Sequence, residues 1–359
     1  MKVLLLSAYH TDSHKSWCDG LMRELDDIDW QLLSLPGRYF SWRIRGNALT
    51  WAVGHRAVLE QAYDLIVATS MVDVSVLRGC IPSLAMTPLL LYFHENQFEY
   101  PDSGRQHRSI EPQMVTLYSA LAADRLVFNS EWNRTSFLCG VEQLLRRLPD
   151  CVPAGVVELL SDKSQCLAVP IEDDLKPLPT SANDVEALVI TWNHRWEYDK
   201  NPDQLLQIIE GLESSGLDYR LNIVGRQFRQ RPEAFDVIEQ RFPHRLAHFG
   251  FVTSRQAYIE LLQRSDVVLS TAIHEFQGLS VLEAVALGAT PMLPNRLSYP
   301  ELFDERFLYD DSQSCVNKLL DIALIRPDEQ AVEAQRFSWA RLKEGYRRVF
   351  EQLVLSRGR

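Results

Sequence analysis

The stretch at 274–288 reads HEFQGLSVLEAVALG, from His274 to Gly288, and it decides the fold of the chain. A strand-like run at 266–270 precedes it. Inside it, a polar turn containing Gly278 is followed by apolar residues at helical spacing, and glycine at Gly288 can end that helix. The pattern predicts strand, turn and helix, the unit from which parallel α/β sheets are built.

The turn in this stretch suits an anion flanked by hydroxyl groups. A helix start offers free N–H groups and partial positive charge, so a phosphate can lie at Gly278 and Leu279. Glu275 and Glu283 then lie on either side of it, and their carboxylates can accept hydrogen bonds from hydroxyls. This predicts a site for the donor sugar and the ribose of a nucleotide sugar. The alternative is a capped amphipathic helix with incidental glutamates.

Composition and charge restrict the class of protein. The chain has 359 residues, 46% hydrophobic and 24% charged, and its length predicts two domains. The net charge of −11 argues against a general basic surface for nucleic acid or anionic membranes, while a local basic groove stays open.

The cysteines and the hydropathy indicate a cytoplasmic protein without a zinc site or a membrane segment. Six cysteines are scattered with no Cys-x-x-Cys pair, which favours reduced thiols. The run at 1–7 is too short for a signal peptide and predicts the first strand. No apolar run is long enough to cross a bilayer.

Two series of strands separated by helical patterns predict two parallel sheets. The predicted domains are 1–172 and 185–336, joined by a Pro-, Asp- and Ser-rich linker at 173–184. An amphipathic helix from Trp339 to Leu355 follows, within a final segment at 337–359 that we expect to pack on the first domain. The strands are predicted at 3–7, 31–34, 65–68, 89–93, 125–128 and 165–169, then at 187–191, 220–224, 247–249, 266–270, 290–293 and 307–309.

Polar residues follow several strands of the first half, at the edge where such sheets bind ligands. The loop at 9–15 lacks glycine, so it is no dinucleotide fingerprint; a helix is predicted from about Ser16. His94 and Glu95 are the best candidates for chemistry, and Asn96 continues their cluster. Ser130 is a predicted cap for the helix from Glu131.

Arginines alternate with aromatic residues at 38–45. Arg38, Arg43 and Arg45 suit phosphate contacts, and Tyr39 and Trp42 suit base stacking. The alternative is an exposed loop with packed rings.

Two cations follow the first strand of the second half. Arg195 and Lys200 can clamp a diphosphate, the first by its planar fork and the second as a point charge. Gly225 ends the next strand and can approach a nucleotide, and Phe251 can pack near a base.

These features together resemble the GT-B glycosyltransferases, in particular a retaining family with many mannosyl- and glucosyltransferases. The resemblance rests on two α/β halves, Arg195-x4-Lys200, and Glu275-x7-Glu283 beside a glycine. It implies two Rossmann-like domains facing a central cleft and a hexosyltransferase that needs no metal.

Three stretches narrow the resemblance to the tRNA-queuosine alpha-mannosyltransferase family. They are Ser13-His14-Lys15, the run at 92–97 with Tyr100-Pro101, and the run at 193–202. This implies transfer of mannose from GDP-mannose to the cyclopentenediol of queuosine in an aspartate tRNA, with retention, by a monomer.

The resemblance also implies roles for single residues. Glu275 would hold the donor sugar, Glu283 the ribose, and Arg195 with Lys200 the leaving group, while His94 would lie at the reacting centre. The donor set comprises Arg195, Lys200, Gly225, Phe251, Glu275, Gln277, Gly278, Leu279 and Glu283. The acceptor set comprises Ser13, His14, Lys15, Arg38, Trp42, Arg43, Arg45, Glu95 and Asn96.

Two departures from the family pattern leave the acceptor and the sugar open. The first loop lacks glycines, and Gln277 replaces a common glycine or aromatic residue. The alternatives are a GT-B enzyme with another nucleotide sugar and a small or lipid-linked acceptor, and a non-catalytic nucleotide-sugar or RNA-binding protein.

Overall fold

The chain forms two compact units in the computed structural model, which describes residues 1–99, 109–178, 187–228, 231–325 and 334–357. One unit comprises Met1–Pro170 together with Trp339–Arg359, and the other comprises Ile171–Ser338. Each is built on one sheet with six parallel strands among the described residues.

The sheet of the first unit has the strand order β2-β1-β3-β4-β5-β6. The order reverses between β1 and β3, and in parallel sheets the carboxyl ends beside such a reversal form the usual ligand crevice. Its strands are β1 (Lys2–His10), β2 (Asp29–Pro36), β3 (Leu65–Thr69), β4 (Leu89–Phe93), β5 (Arg125–Phe128) and β6 (Ser164–Cys166). Its helices are α1 (Asp12–Glu24), α2 (Phe40–Gly54), α3 (Arg56–Leu59), α4 (Val74–Cys80), α5 (Glu111–Ala122), α6 (Glu131–Leu145) and α7 (Val156–Asp162).

The sheet of the second unit has the order β12-β11-β10-β7-β8-β9, with its reversal between β7 and β10. The Arg195–Lys200 segment follows β7, and the stretch at 274–288 follows β10, so the two motifs leave neighbouring strand ends. The strands are β7 (Leu188–Trp192), β8 (Tyr219–Val224), β9 (Leu246–Gly250), β10 (Val267–Leu269), β11 (Thr290–Pro294) and β12 (Leu308–Tyr309). The helices are α8 (Pro202–Ser215), α9 (Glu233–Arg241), α10 (Arg255–Gln263), α11 (Leu279–Ala286), α12 (Tyr299–Leu302) and α13 (Ser312–Ile325).

Apolar side chains cover both faces of the second sheet. In β10, Val267 and Leu269 join a core that includes residues of α8, α9 and α13, whereas Val268 joins a core that includes residues of α11. Burying one such side chain contributes about 1.5–3 kcal/mol. The continuous apolar runs in the sequence therefore belong to strands covered by helices on both sides.

The last helix, α14 (Trp339–Arg357), belongs to the first unit. The Tyr346 hydroxyl accepts from Nε1 of Trp17 at 3.0 Å and donates to the carbonyl oxygen of Ala168 at 2.9 Å. The ring of Trp339 covers Gly20, where a Cβ would lie 2.2 Å from the ring. These contacts anchor α14 to α1 and to the chain beyond β6.

Every predicted strand is present, with ends within three residues of the prediction. The predicted loop at 9–15 is wrong, because β1 continues to His10 and α1 begins at Asp12 rather than near Ser16. An acidic Asp12 in the first turn favours this early start. An exposed loop over 38–45 is also wrong, since α2 begins at Phe40. The predicted cap Ser130 is confirmed by its acceptance of the Asn133 N–H.

The predicted linker is only partly described, since residues 179–184 lie outside the described ranges. Its described part packs on the second unit, where Leu175 is buried in the core together with Ile171. Among the described residues, no helix is long and apolar enough to cross a membrane.

Candidate active site

The turn before α11 is organised around Gly278. This residue has a φ of 76°, and a Cβ there would lie 3.0 Å from the ring of Tyr299, so only glycine fits without strain. Among the residues described, no side chain caps the start of α11. The first N–H groups of a helix have no intrahelical acceptor and carry the positive end of its dipole. The N–H of Leu279 thus has the properties that an anion requires, whereas the N–H of Gly278 already faces the Glu275 carboxylate.

Lys200 holds the carboxylate of Glu275 just before this helix. Its Nζ donates to Glu275 Oε2 at 3.2 Å and to the carbonyl oxygen of His274 at 2.6 Å. The other oxygen, Oε1, accepts from the N–H of Phe276 at 3.1 Å and lies 3.5 Å from the N of the buried Gln277. Burial raises the pKa of Glu275, but the charge of Lys200, the hydrogen bond from Lys200 and that from the backbone of Gly278 outweigh burial and lower the pKa to about 2.

Asp199 lies beside both cations that the sequence singles out, and sequence reasoning missed it. Its Oδ2 is 3.4 Å from Nη2 of Arg195 and 3.5 Å from Nζ of Lys200. Burial raises its pKa, yet the hydrogen bond from His274 and the two cations hold that pKa well below the usual range. The sequence did carry a signal for Asp199, because an acidic residue lies there between the cations Arg195 and Lys200.

The two predicted clamp residues have different surroundings. The Lys200 side chain is 7% exposed and surrounded by carboxylates, whereas Arg195 is 51% exposed and its Nη1 lies 2.6 Å from Glu197. Lys200 therefore fixes Glu275 from within the fold, and Arg195 is the cation open to solvent.

Glu283 is paired with Arg255, a second residue that the sequence analysis missed. The guanidinium contacts both carboxylate oxygens, at 2.6 Å and 3.0 Å. Arg255 is the first residue of α10, while Glu283 lies in α11, so no sequence spacing linked them. Nearby, Nδ2 of Asn193 donates to the carbonyl oxygen of Ser280 at 2.7 Å and to Tyr258 at 3.0 Å, which ties the end of β7 to the first turn of α11.

Two further predicted donor residues lie at the ends of β8 and β9. A Cβ on Gly225 would lie 1.8 Å from the carbonyl oxygen of His194, so Gly225 allows the loop after β7 to approach. Phe251 is 53% exposed, and the Arg226 guanidinium lies 5.9 Å from its ring centre.

A network of buried hydrogen bonds supports the loop after β7. Nε2 of His194 lies 2.9 Å from the Ser270 hydroxyl, which lies 2.7 Å from the hydroxyl of Tyr299, the residue beneath Gly278. Burial and the charge of Lys200 lower the pKa of His194 to about 3, so the imidazole is neutral at physiological pH. Sequence spacing alone carried no sign of this network.

In the first unit, two buried histidines and a glutamate meet at the carboxyl edge of the sheet. The rings of His14 and His94 are 4.2 Å apart, and His14 Nε2 lies 3.5 Å from Oε1 of Glu95. The other ring nitrogen of His14, Nδ1, lies 2.9 Å from the hydroxyl oxygen of Thr11, which fixes the ring. In both histidines Nε2 is buried and has no hydrogen-bond partner in the part of the chain that the structure describes. Burial and the neighbouring His14 lower the pKa of His94 well below its ordinary value, so His94 is neutral.

The remaining residues of this predicted acceptor set are divided. Ser13 is exposed, and so is Lys15, which pairs with Asp19. The prediction that Asn96 faces a ligand is contradicted, because Asn96 is fully buried and its amide donates to Asn133 and Ser136 while its carbonyl oxygen accepts from Phe98. Tyr100 and Pro101 lie outside the described residues.

The arginines at 38–45 do not form one exposed patch. Arg38 is exposed, and its Cζ lies 5.6 Å from the ring centre of Tyr39. Trp42 is 54% exposed. Nη1 of Arg45 lies 3.0 Å from Oδ2 of Asp73, and its Nε lies 3.3 Å from Oε2 of Glu111. Arg43 is buried, at 8% exposure. Helix α2 turns successive side chains in different directions, which the interpretation as a loop could not anticipate.

The described residues contain no group of three or more His, Cys, Asp or Glu side chains arranged to hold a metal ion.

Comparison with known proteins supports both halves of this description. Residues 2–171 match the family described as tRNA-queuosine alpha-mannosyltransferase N-terminal, and residues 179–322 match the glycosyl transferases group 1. The tRNA-queuosine alpha-mannosyltransferase of Drosophila melanogaster is 33% identical over 325 residues, which cover 88% of this chain and 85% of that protein.

Solved glycosyltransferase structures share the whole fold at low identity. Anabaena HepE in complex with UDP has a TM-score of 0.69 and 16% identity, with 98% of this chain and 100% of that chain covered. The sucrose-phosphate synthase of Thermosynechococcus elongatus has a TM-score of 0.73 and 13% identity, with 99% and 100% covered.

Two doubly wound units, with the motifs at 193–202 and 274–288 at the strand-order reversal of the second, define a glycosyltransferase of the GT-B fold. The protein is a hexosyltransferase. The identity with the Drosophila protein extends over most of both chains, so the chain belongs to the tRNA-queuosine alpha-mannosyltransferase family.

Proposed function

We propose that the protein transfers mannose from GDP-mannose to the cyclopentenediol of queuosine in the anticodon of an aspartate tRNA, with retention of configuration. The observation that carries the proposal is the Glu275 carboxylate, fixed by Lys200 beside the uncapped start of α11. Family membership supplies the acceptor class, since the Drosophila relative is named for queuosine in tRNA.

The donor has a partner for each of its parts in the second unit. The diphosphate lies at the N–H of Leu279, where Gly278 allows a close approach, and is neutralised by the exposed Arg195. Glu275 accepts hydrogen bonds from mannose hydroxyls, and Glu283, held by Arg255, accepts them from the ribose diol. Phe251 packs near the base of the nucleotide, and Gly225 lets the backbone approach the nucleotide.

The transfer step uses these groups to stabilise the departing diphosphate. The bond from the anomeric carbon to the phosphate oxygen breaks, and the charge that develops on GDP is met by the helix start and Arg195. The acceptor hydroxyl attacks from the same face as the leaving group, and its proton passes to the departing phosphate oxygen. The anomeric configuration is thereby retained, and no covalent enzyme intermediate is needed.

The acceptor meets the buried cluster of the first unit. Glu95 can accept hydrogen bonds from two vicinal hydroxyls, and the unpartnered Nε2 atoms of His14 and His94 offer further polar contacts. Because His94 is neutral and desolvated, it can orient a hydroxyl without adding charge to the sugar. The exposed Arg38 and Trp42 contact the RNA outside this cluster, and Ser13 and Lys15 border it.

The enzyme works in this proposal without a metal ion, as a cytoplasmic monomer. Arg195 and the start of α11 supply the positive charge on the diphosphate that a divalent cation would otherwise supply.

The test is incubation of the purified protein with GDP-mannose, GDP-glucose, UDP-glucose and UDP-galactose in turn. Each donor is combined with tRNA that carries queuosine and with tRNA that lacks it. Mass spectrometry of the digested nucleosides should detect one added hexose only with GDP-mannose and queuosine, and α-mannosidase should remove it. Transfer from GDP-mannose to a lipid or a free sugar, with queuosine tRNA unmodified, would favour the small-acceptor alternative.

A further inference from the structure

Arg43 is a buried cation that has no counter-charge among the described residues. It lies one turn into α2 and is 8% exposed, and its Nε is buried with no hydrogen-bond partner. Within the described ranges, no carboxylate forms an ion pair with it. A guanidinium is always charged, and burying it unpaired is costly unless a ligand supplies the missing anion.

A neighbouring arginine of α2 does pair with carboxylates. Arg45, two residues further along α2, lies 3.0 Å from Asp73 and 3.3 Å from Glu111. The same helix therefore carries one arginine that pairs with protein carboxylates and one that does not. This difference points to a ligand at Arg43 rather than to a general excess of positive charge.

The start of α2 adds a second feature that favours an anion. Its cap residue, Tyr39, has a φ of 58° and makes no side-chain capping bond. The N–H of Trp42 donates to the carbonyl oxygen of Tyr39, while within the described ranges the N–H groups of Phe40 and Ser41 have no side-chain acceptor. Arg43 follows within the next turn. A helix start and an unpaired, buried guanidinium are thus close together in the chain.

This region adjoins the histidine cluster. A Cβ on Gly37, two residues before the cap of α2, would lie 2.5 Å from Cγ2 of Thr11. Thr11 in turn lies 2.9 Å from Nδ1 of His14. The segment three residues before α2 therefore contacts the residue that holds His14 in the cluster that we assign to the acceptor hydroxyls.

We propose that Arg43 and the start of α2 bind one phosphodiester group of the RNA. In the RNA chain this phosphodiester group lies close to the nucleoside that is modified. The inference rests on the proposed function, because RNA is the acceptor there. Guanidinium groups bind phosphate through two parallel hydrogen bonds, which fixes both position and orientation. The diphosphate of the donor already has its partners in the second unit.

The first experiment compares Arg43→Gln with Arg56→Gln, an exposed arginine of the same unit that pairs with Glu60. We expect Arg43→Gln to lower the affinity for queuosine tRNA by about tenfold or more and to leave GDP binding unchanged. The slope of log affinity against log salt should fall by about 0.7–0.9, one phosphate contact. Arg56→Gln should change neither quantity. Equal tRNA binding in the two variants would overturn the proposal.

The second experiment varies the phosphates of the acceptor. Transfer by wild type and Arg43→Gln is measured with free queuosine nucleoside and with an anticodon stem–loop that contains queuosine. The variant should lose kcat/KM only with the stem–loop. An equal loss with the nucleoside would contradict a phosphate contact. If the wild type modifies neither acceptor, the proposed function itself fails.

Thermal melting separates a ligand role from a structural one. Without ligand, Arg43→Met should melt no lower than wild type, because it removes an unpaired buried charge. A large fall in Tm would make Arg43 structural and overturn the proposal. The stem–loop should raise the Tm of wild type more than that of Arg43→Met. If inorganic phosphate or GDP protects wild type as well as the stem–loop does, and protects Arg43→Met less, the anion is not an RNA phosphodiester.

Discussion

Nζ of Lys200 lies 3.2 Å from Oε2 of Glu275 and 3.5 Å from Oδ2 of Asp199, so one buried ammonium serves two carboxylates. Removing one partner of a buried ion pair leaves the other uncompensated, which costs about 3–5 kcal/mol. We therefore expect Lys200→Met to displace Glu275 and to lower kcat by about 10²-fold or more. Steady-state kinetics with saturating donor would measure this. Activity near that of wild type would mean that Glu275 keeps its position without Lys200.

The pair formed by Arg255 and Glu283 predicts an effect on nucleotide binding rather than on turnover. Arg255 is half exposed, so we expect Arg255→Ala to weaken GDP binding only by about three- to tenfold, less than a buried pair would. Glu283→Gln should weaken GDP binding as well, and the double variant should show a smaller effect than the sum. Calorimetry with GDP measures all three.

Glu275→Gln is the control for this assignment, because it should leave GDP affinity unchanged while turnover falls. If Glu275→Gln weakens free GDP and Glu283→Gln does not, the two glutamates have exchanged roles.

The low pKa of His194 predicts how stability depends on pH. The group is neutral in the folded protein until pH about 3, whereas in the unfolded chain it gains a proton near 6.5. Between these values the unfolded state binds the extra proton, so the free energy of unfolding falls as pH decreases. The contribution of one such group is about 1.4 kcal/mol per pH unit. Above pH 6.5 the contribution is constant.

Urea unfolding between pH 7 and pH 5 measures this slope, and His194→Gln should reduce it by one proton. His94 is also buried and neutral, so His94→Gln should reduce it as well. An unchanged slope in His194→Gln would show that this imidazole is solvated in the folded state.

The positive charge of Arg195 and of the start of α11 predicts that turnover survives chelation of metals. Activity in EDTA should equal activity in magnesium or manganese, because these groups oppose the charge on the diphosphate. Arg195→Ala should then reduce kcat by about tenfold to 10³-fold, and added magnesium should not restore it. Loss of turnover in EDTA that manganese reverses would contradict this.

The sequence predicted the sheets and the strand, turn and helix at 266–288 because both depend on local patterns. Apolar runs placed every strand, and the Glu275 to Glu283 stretch joined a glycine turn to a helix. Arg255 was missed because its contact with Glu283 spans 28 residues and exists only after folding. Asn96 was misassigned because a polar residue after a strand can equally well form buried hydrogen bonds within the fold. Its amide donates such bonds to Asn133 and Ser136.

The contrast between His94 and Asn96 gives the last prediction, since they lie two residues apart at the end of β4. Asn96 donates and accepts buried hydrogen bonds within the fold, so Asn96→Ala leaves its partners unsatisfied and should destabilise the protein by about 2–3 kcal/mol. The folded fraction should still transfer mannose at nearly the rate of wild type. His94 contacts His14, Trp17 and Tyr92 through its ring, but its Nε2 has no hydrogen-bond partner among the described residues. We therefore expect His94→Gln to keep stability at pH 7, GDP binding and tRNA binding, and to lose transfer. Chemical denaturation together with single-turnover transfer separates the two effects. If His94→Gln transfers as well as wild type, the buried histidine is part of the core and the acceptor lies elsewhere.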